Sequence, residues 1–129
     1  MSKPQDNLSG MWQTGSGAVY EIWQKGINVL ALYSEPSQGQ VESGVRSGDI
    51  AFVGTVIGQI ATVQFHHRAP LTQRTTCPAT WYFVDTLYLT ISSDGNQMDG
   101  DLIDEHVSDE CRVDDRRLDH LTFVRTREA

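Results

Sequence analysis

Four residues in the second half of the chain could form a single polar constellation: Asp85, Asp104, His106 and Asp119. Carboxylates and an imidazole held together can orient a cation or a hydrogen-bond donor, or exchange protons as acid and base. Two close carboxylates raise one pKa of the pair, and the same acids hold the proton on a neighbouring imidazole. Tyr33, Trp81 and Phe83 are aromatics that could bury a small ligand beside them. The same acids could instead sit solvated at a rim, where charge keeps a protein soluble, so pocket and rim both stand at this stage. His66 and His67 are neighbours on a strand pattern and so point to opposite faces, which prevents them from sharing a metal. No ligand spacing supports zinc, no nucleophile has a recognisable motif around it, and Gly15-Ser16-Gly17 opens no helix that could hold a phosphate. Neither a metal nor a cofactor is expected.

These residues must be positioned by strands. Leu87, Leu89 and Ile91 alternate with Tyr88 and Thr90, a period of two. Asp94-Gly95 follows, a pair suited to a two-residue type I′ turn. Beyond it, Met98 and Leu102 fall on one side and Asp99, Asp101 and Ile103 on the other. With Asp94-Gly95 at the centre, Ile91 faces Met98, Leu89 faces Gly100 and Leu87 faces Leu102. The same register would set Asp85 against Asp104 and Phe83 against His106. The apolar members pair, and a one-residue slip would turn a strand inside out.

The rest of the chain reads the same way. Residues 1–7 form a flexible N-terminus, and residues 8–129 form one domain. Strands are expected at 8–14, 18–24 and 28–34, with turns at 15–17 and at Lys25-Gly26. Residues 35–48 are turn-rich, with one short strand near Val41. Strands at 49–57 and 59–67 make a second hairpin about Gly58-Gln59, where Gly suits a type II′ turn. Residues 68–79 form an irregular loop, 80–92 and 97–107 the central hairpin, 108–117 a charged loop, and 118–125 the last strand. No segment carries a helical period. Short strands in hairpin succession predict an all-β fold, an eight-stranded antiparallel up-and-down β-barrel, which also removes edges.

Composition narrows the partners. The chain has 129 residues, enough for one core, and 17 acids against 10 basic residues, a formal charge of −7. Nine of those acids lie between Asp99 and Asp119. An acidic chain without a basic stripe disfavours nucleic acid and anionic membrane surfaces. No apolar run is long enough for a transmembrane helix. The N-terminal residues lack an apolar leader core, so a cytoplasmic location is expected for the sequence as it stands, periplasmic or secreted if a leader was removed. Cys77 and Cys111 are the two cysteines. Their numbers sum to one less than the hairpin register, which would set them nearly opposite at its far end. A disulfide and two unrelated thiols both remain open, depending on the compartment.

Two features at the chain ends add a resemblance. Gly10-Met11-Trp12 opens the first strand and Arg125 closes the last. This resembles the calycin superfamily of lipocalins, fatty-acid-binding proteins and avidins, in which a G-x-W places its Trp at the closed end of a barrel under a basic residue from the last strand. Gly10, Trp12 and Arg125 would then be structural. The length and strand order look most like avidin and streptavidin. By that resemblance Tyr33 matches a third-strand Tyr, and Trp81 a biotin-stacking Trp. Leu121 stands where biotin-binding members carry an Asp, and Thr14 and Ala18 stand where they use Asn and Ser. A site that loses its hydrogen-bonding partners loses affinity steeply, so the resemblance implies the fold and argues against biotin.

Three functions follow as expectations. The first is a non-enzymatic barrel that binds a small ligand, its identity open. The second is a filled interaction or structural barrel working through its outer face, where Trp23, Tyr82, Val84 and Tyr88 would form an apolar patch for a homodimer or higher homo-oligomer. The third is an enzyme using Asp85, Asp104 or His106 as acid or base.

Overall fold

The computed structural model describes residues 7–68, 82–108 and 110–128. Eight strands follow one another: β1 (Gly10–Thr14), β2 (Val19–Lys25), β3 (Asn28–Glu35), β4 (Ile50–Ile57), β5 (Ile60–Arg68), β6 (Tyr82–Ile91), β7 (Gln97–Val107) and β8 (Val113–Glu128). They form a closed barrel in sequence order, each strand antiparallel to the next, and β8 pairs with β1 to complete the ring. The all-β, eight-stranded, up-and-down barrel expected from the sequence is therefore the observed fold.

Alternation along each strand fills the interior. Ala18, Tyr20 and Ile22 point inward from the β2 region, Val29, Ala31 and Tyr33 from β3, and Leu87, Leu89 and Ile91 from β6. Trp12, Phe52, Phe123, Leu8, Leu87, Leu89, Met98 and Val63 are among the side chains fully withdrawn from water. The rings interlock edge to face: Phe52 meets Phe123 at 6.0 Å, and Tyr20 meets the same ring at 5.3 Å. Gly54 marks the tightest approach, since a Cβ there would lie 2.1 Å from the carbonyl oxygen of Thr62 and 2.7 Å from the Cα of Val63.

One end of the barrel is closed by the residues the first and last strands bring together. Trp12 lies opposite Arg125, whose guanidinium carbon sits 4.8 Å from the indole centroid. The indole N–H donates to the carbonyl of Leu8. The guanidinium donates to the carbonyls of Asn7, Ser9 and Gly95, so it ties the N-terminal segment to the β6–β7 turn. Gly10 has φ +143°, a region open to glycine, and the β1–β8 register shifts just after it, between Met11 and Trp12. That local irregularity sets the entry of the chain beneath the indole.

The central hairpin keeps its expected register and changes its turn. Ile91 lies opposite Met98 and Thr90 opposite Asp99. Only Gly95 of the Asp94-Gly95 pair has positive φ, so the turn is not type I′. Residues 93–96 form a four-residue loop between Ser92, whose N–H donates to the Gln97 carbonyl, and Gln97. Asp94 holds it by accepting from the Ser92 hydroxyl and from the Asn96 N–H. The longer loop is centred on the same two residues, so widening it by one residue on each side leaves the pairing unchanged. The β4–β5 hairpin matches its expectation more closely: Ile57 faces Ile60, and positive φ falls at Gly58 and not at Gln59, as a type II′ turn requires. Between β2 and β3, however, Lys25 faces Asn28, which moves the expected turn one residue on, to Gly26-Ile27.

Two further corrections concern elements. The short strand expected near Val41 is instead a single helical turn, α1 (Gln38–Glu42). Ser37 caps it, and Gln40 completes a capping box by reaching back to the Ser37 N–H. The charged stretch expected as a loop to residue 117 turns at 108–112 and then enters β8 at Val113. The β6–β7 ladder stops at Thr90 opposite Asp99, while β7 and β8 stay paired to Val107 opposite Val113. Likewise β8 meets β1 only as far as Phe123 opposite Thr14. Past those points β7 and β8 form a two-stranded ribbon that pairs with no third strand among the described residues.

Candidate functional site

The other end of the barrel holds a cavity of about 340 Å³. Its walls include Tyr20, Phe65, Leu102, Leu121 and Phe123. Thr14 and Ser16 border it at the β1–β2 turn, Gln40 reaches it from α1, and Asp119 and His120 border it on β8. The strand period explains these positions. Along β8, Phe123 is buried and Asp119 and Leu121 are half-buried, whereas Leu118, His120 and Val124 are exposed. Asp119 therefore shares the inward-facing register with Leu121 and Phe123, and it lies opposite Leu102 of β7.

The polar groups at the mouth are mostly engaged with one another. Gln40 Nε2 donates to the Tyr20 hydroxyl at 3.2 Å, while its Oε1 accepts from the Ser37 N–H. Burial pushes the Tyr20 hydroxyl above its usual value, against the hydrogen bonds with Gln40 and Thr14, so the phenol is neutral near pH 7. The Thr14 and Ser16 hydroxyls share a hydrogen bond of 3.1 Å. Asp119 differs from these: among the described residues its carboxylate meets no cation and no hydrogen-bond donor.

The expected constellation lies only partly within the described side chains. Asp119 borders the cavity. Asp85 lies opposite Phe65 across β5–β6, half-buried, and is not among the cavity's walls. The Asp85–Asp104 and Phe83–His106 pairs are not part of the β6–β7 ladder, which ends near the turn. Asp104 and His106 sit opposite Arg117 and Asp115 on the ribbon, and Phe83 sits opposite His67. The side chains of Phe83, Asp104 and His106 lie outside the described part of the structure, as does Trp81 entirely. Tyr33 belongs to the core: its ring packs 5.2 Å from Tyr20, and its hydroxyl donates to the carbonyl of His66. His66 is half-buried, and burial holds its imidazole below the usual value. Cys111 is disulfide-bonded and has φ +64°; Cys77 lies outside the described residues.

A second polar group lies on the outer wall, unforeseen from the sequence. His120 Nδ1 is 2.8 Å from Asp101 and Nε2 is 3.1 Å from Asp99. Asp99 also accepts from Thr122 Oγ1 and from the Gln97 side chain. The hydrogen bonds to Asp101 and then Asp99 raise the His120 imidazole above its usual range, while those from Thr122 and Gln97 hold the Asp99 carboxyl down. The signal was available in the alternation, because Asp99, Asp101 and His120 all occupy outward positions on adjoining strands. No group of three or more His, Cys, Asp or Glu suited to a metal is found among the described residues.

The outer apolar patch is also rearranged. Trp23 is on β2, whereas Val84 and Tyr88 are on β6, four strands away around a ring of eight, so they face opposite sides. The neighbours of Trp23 are Leu30 and, beyond it, Val53, with Leu32 and Ile50 alongside. The Tyr82 side chain lies outside the described part. Comparison with protein-family models finds no match to this chain, and comparison with curated proteins finds none either.

Proposed function

We propose that the protein is a non-enzymatic barrel that binds one small, largely apolar molecule at its open end. The cavity beside Tyr20, Phe65, Leu121 and Phe123 carries this reading, since about 340 Å³ falls at the lower end of the range of small-ligand sites. Aromatic and aliphatic walls supply the burial, while Thr14, Gln40 and Asp119 supply a few polar contacts at the rim. A barrel with one end plugged and the other open suits this use, because the floor excludes water and the mouth admits the ligand. The resemblance to calycins points the same way. So does the absence of a polar clamp for biotin: Leu121, a cavity wall, offers no acceptor. The enzyme reading drew on Asp104 and His106, whose side chains lie outside the described part of the structure.

N-phenyl-1-naphthylamine, a neutral dye that brightens in apolar surroundings, tests the reading. Saturable fluorescence enhancement with one site per chain is expected, at micromolar affinity. An enhancement that stays linear in dye, or one that needs several molecules per chain, would contradict it.

A further inference from the structure

We propose that the cavity is built for a small organic cation, an amine carried on a flat apolar group, with Asp119 as its counter-ion; this rests on the ligand-binding reading above. Among the described residues Asp119 is the one carboxylate on the cavity wall, and it occupies the inward-facing register of β8 with Leu121 and Phe123. No Lys or Arg lines the cavity among the described residues. His120 borders the cavity but its ring nitrogens are committed to Asp101 and Asp99 on the outer wall, so it cannot neutralise Asp119.

The other polar groups are already paired. Gln40 is spent on Tyr20 and Ser37, and the Thr14 and Ser16 hydroxyls bond each other. The unmet demand at the mouth is for a donor, preferably a charged one. Asp119 is half-buried, so water satisfies it while the cavity stands open. A ligand that displaces this water must replace its hydrogen bonds, and an ammonium does so with a charge-assisted bond in a less polar setting. A carboxylate ligand would instead meet a like charge, with no Lys or Arg among the described lining residues to offset it. The aromatic residues Tyr20, Phe65 and Phe123 among the cavity walls suit a cation and a flat ligand. The net charge of −7 raises the local concentration of cations around the whole molecule. Size limits the ligand further. About 340 Å³ would hold about eleven waters at about 30 Å³ each, comparable to the heavy atoms of an arylethylamine.

Three indoles that differ only at the end of the side chain isolate the charge: tryptamine, a cation; tryptophol, neutral; and indole-3-propionate, an anion. Calorimetric titration of the full chain near neutral pH should rank them in that order. Tryptamine should bind roughly tenfold tighter than tryptophol, because its ammonium forms an ion pair with Asp119 that an uncharged hydroxyl does not. In Asp119→Asn, the gap between tryptamine and tryptophol should close. A circular dichroism spectrum and urea midpoint close to those of the wild type show that the variant is folded. Equal affinity for all three, or a tryptamine preference that survives Asp119→Asn, overturns the cation assignment and leaves the binding reading standing. Binding of none of the three overturns the assignment as well, and the neutral dye then judges the binding reading separately.

Discussion

At the closed end, Trp12 and Arg125 each do two jobs. The indole fills the floor and anchors Leu8 through its N–H, while the guanidinium covers the indole and holds three carbonyls from two parts of the chain. Trp12→Ala removes a fully buried side chain from a site walled by strands that cannot collapse inward. Its expected cost is about 3–5 kcal/mol in urea unfolding. A loss under about 1 kcal/mol would mean that the floor is not organised around this residue. On the outer wall, His120 gives a signature in pH. Asp101 and Asp99 raise its folded pKa above the usual 6.5, so the folded chain keeps a proton that the unfolded chain releases. The stabilisation is full below about pH 6.5 and is lost as pH rises through the folded value. Asp99 sets the acid limit: its folded pKa is lowered from 3.8, so its share is present above that value and fades as pH falls through the folded one. The urea midpoint of the wild type should therefore exceed that of His120→Gln by more at about pH 5.5 than at about pH 8.5. These groups are exposed and screened, so the gap should also shrink with added salt. A gap independent of pH would show that the bridge has no hold on stability.

At the scale of elements, close strand approach makes the sharpest demand. Gly54 has no room for a Cβ, and the obstructing atoms belong to the β5 backbone, which cannot rotate aside. Gly54→Ala should destabilise the barrel by about 1–3 kcal/mol, the usual cost of overpacking; an unchanged unfolding midpoint would contradict that contact. Elements with one face in the core were legible in the sequence. The alternation through Leu87, Leu89 and Ile91 specified both the inward face and the partner of Met98. The β7–β8 ribbon was not legible beyond Leu102, because both its faces meet water at 115–118 and the residues there need no alternation. For the same reason the parity of Asp85 and Asp104 was read from a continuous ladder that ends at Asp99. The turn α1 is too short to show a period, and its one signal was the spacing of Ser37 and Gln40. That missed turn is what brings Gln40 to the cavity.

At the scale of the whole molecule, the barrel has unlike ends. One end is plugged by Trp12 and Arg125, and the other opens between the β1–β2 turn, α1 and the base of the ribbon. The sequence made the plugged end visible through Gly10, Trp12 and Arg125, because those residues carry a recognisable pattern. The open end was visible only in part: Asp119 was foreseen there, while Tyr20 and Phe65 read as ordinary core positions. Whether that end is a binding site is decided by blocking it from within. Leu121 lies on the wall opposite Gly100, so Leu121→Trp directs an indole into the cavity without changing charge. The most direct measurement is the affinity of N-phenyl-1-naphthylamine for the wild type and for Leu121→Trp, with folding of both checked by circular dichroism. The predicted result is saturable binding by the wild type, weakened at least roughly tenfold in a folded variant, as expected when an apolar pocket loses its free volume. Equal affinity in both proteins would place the dye elsewhere and contradict the cavity as the site.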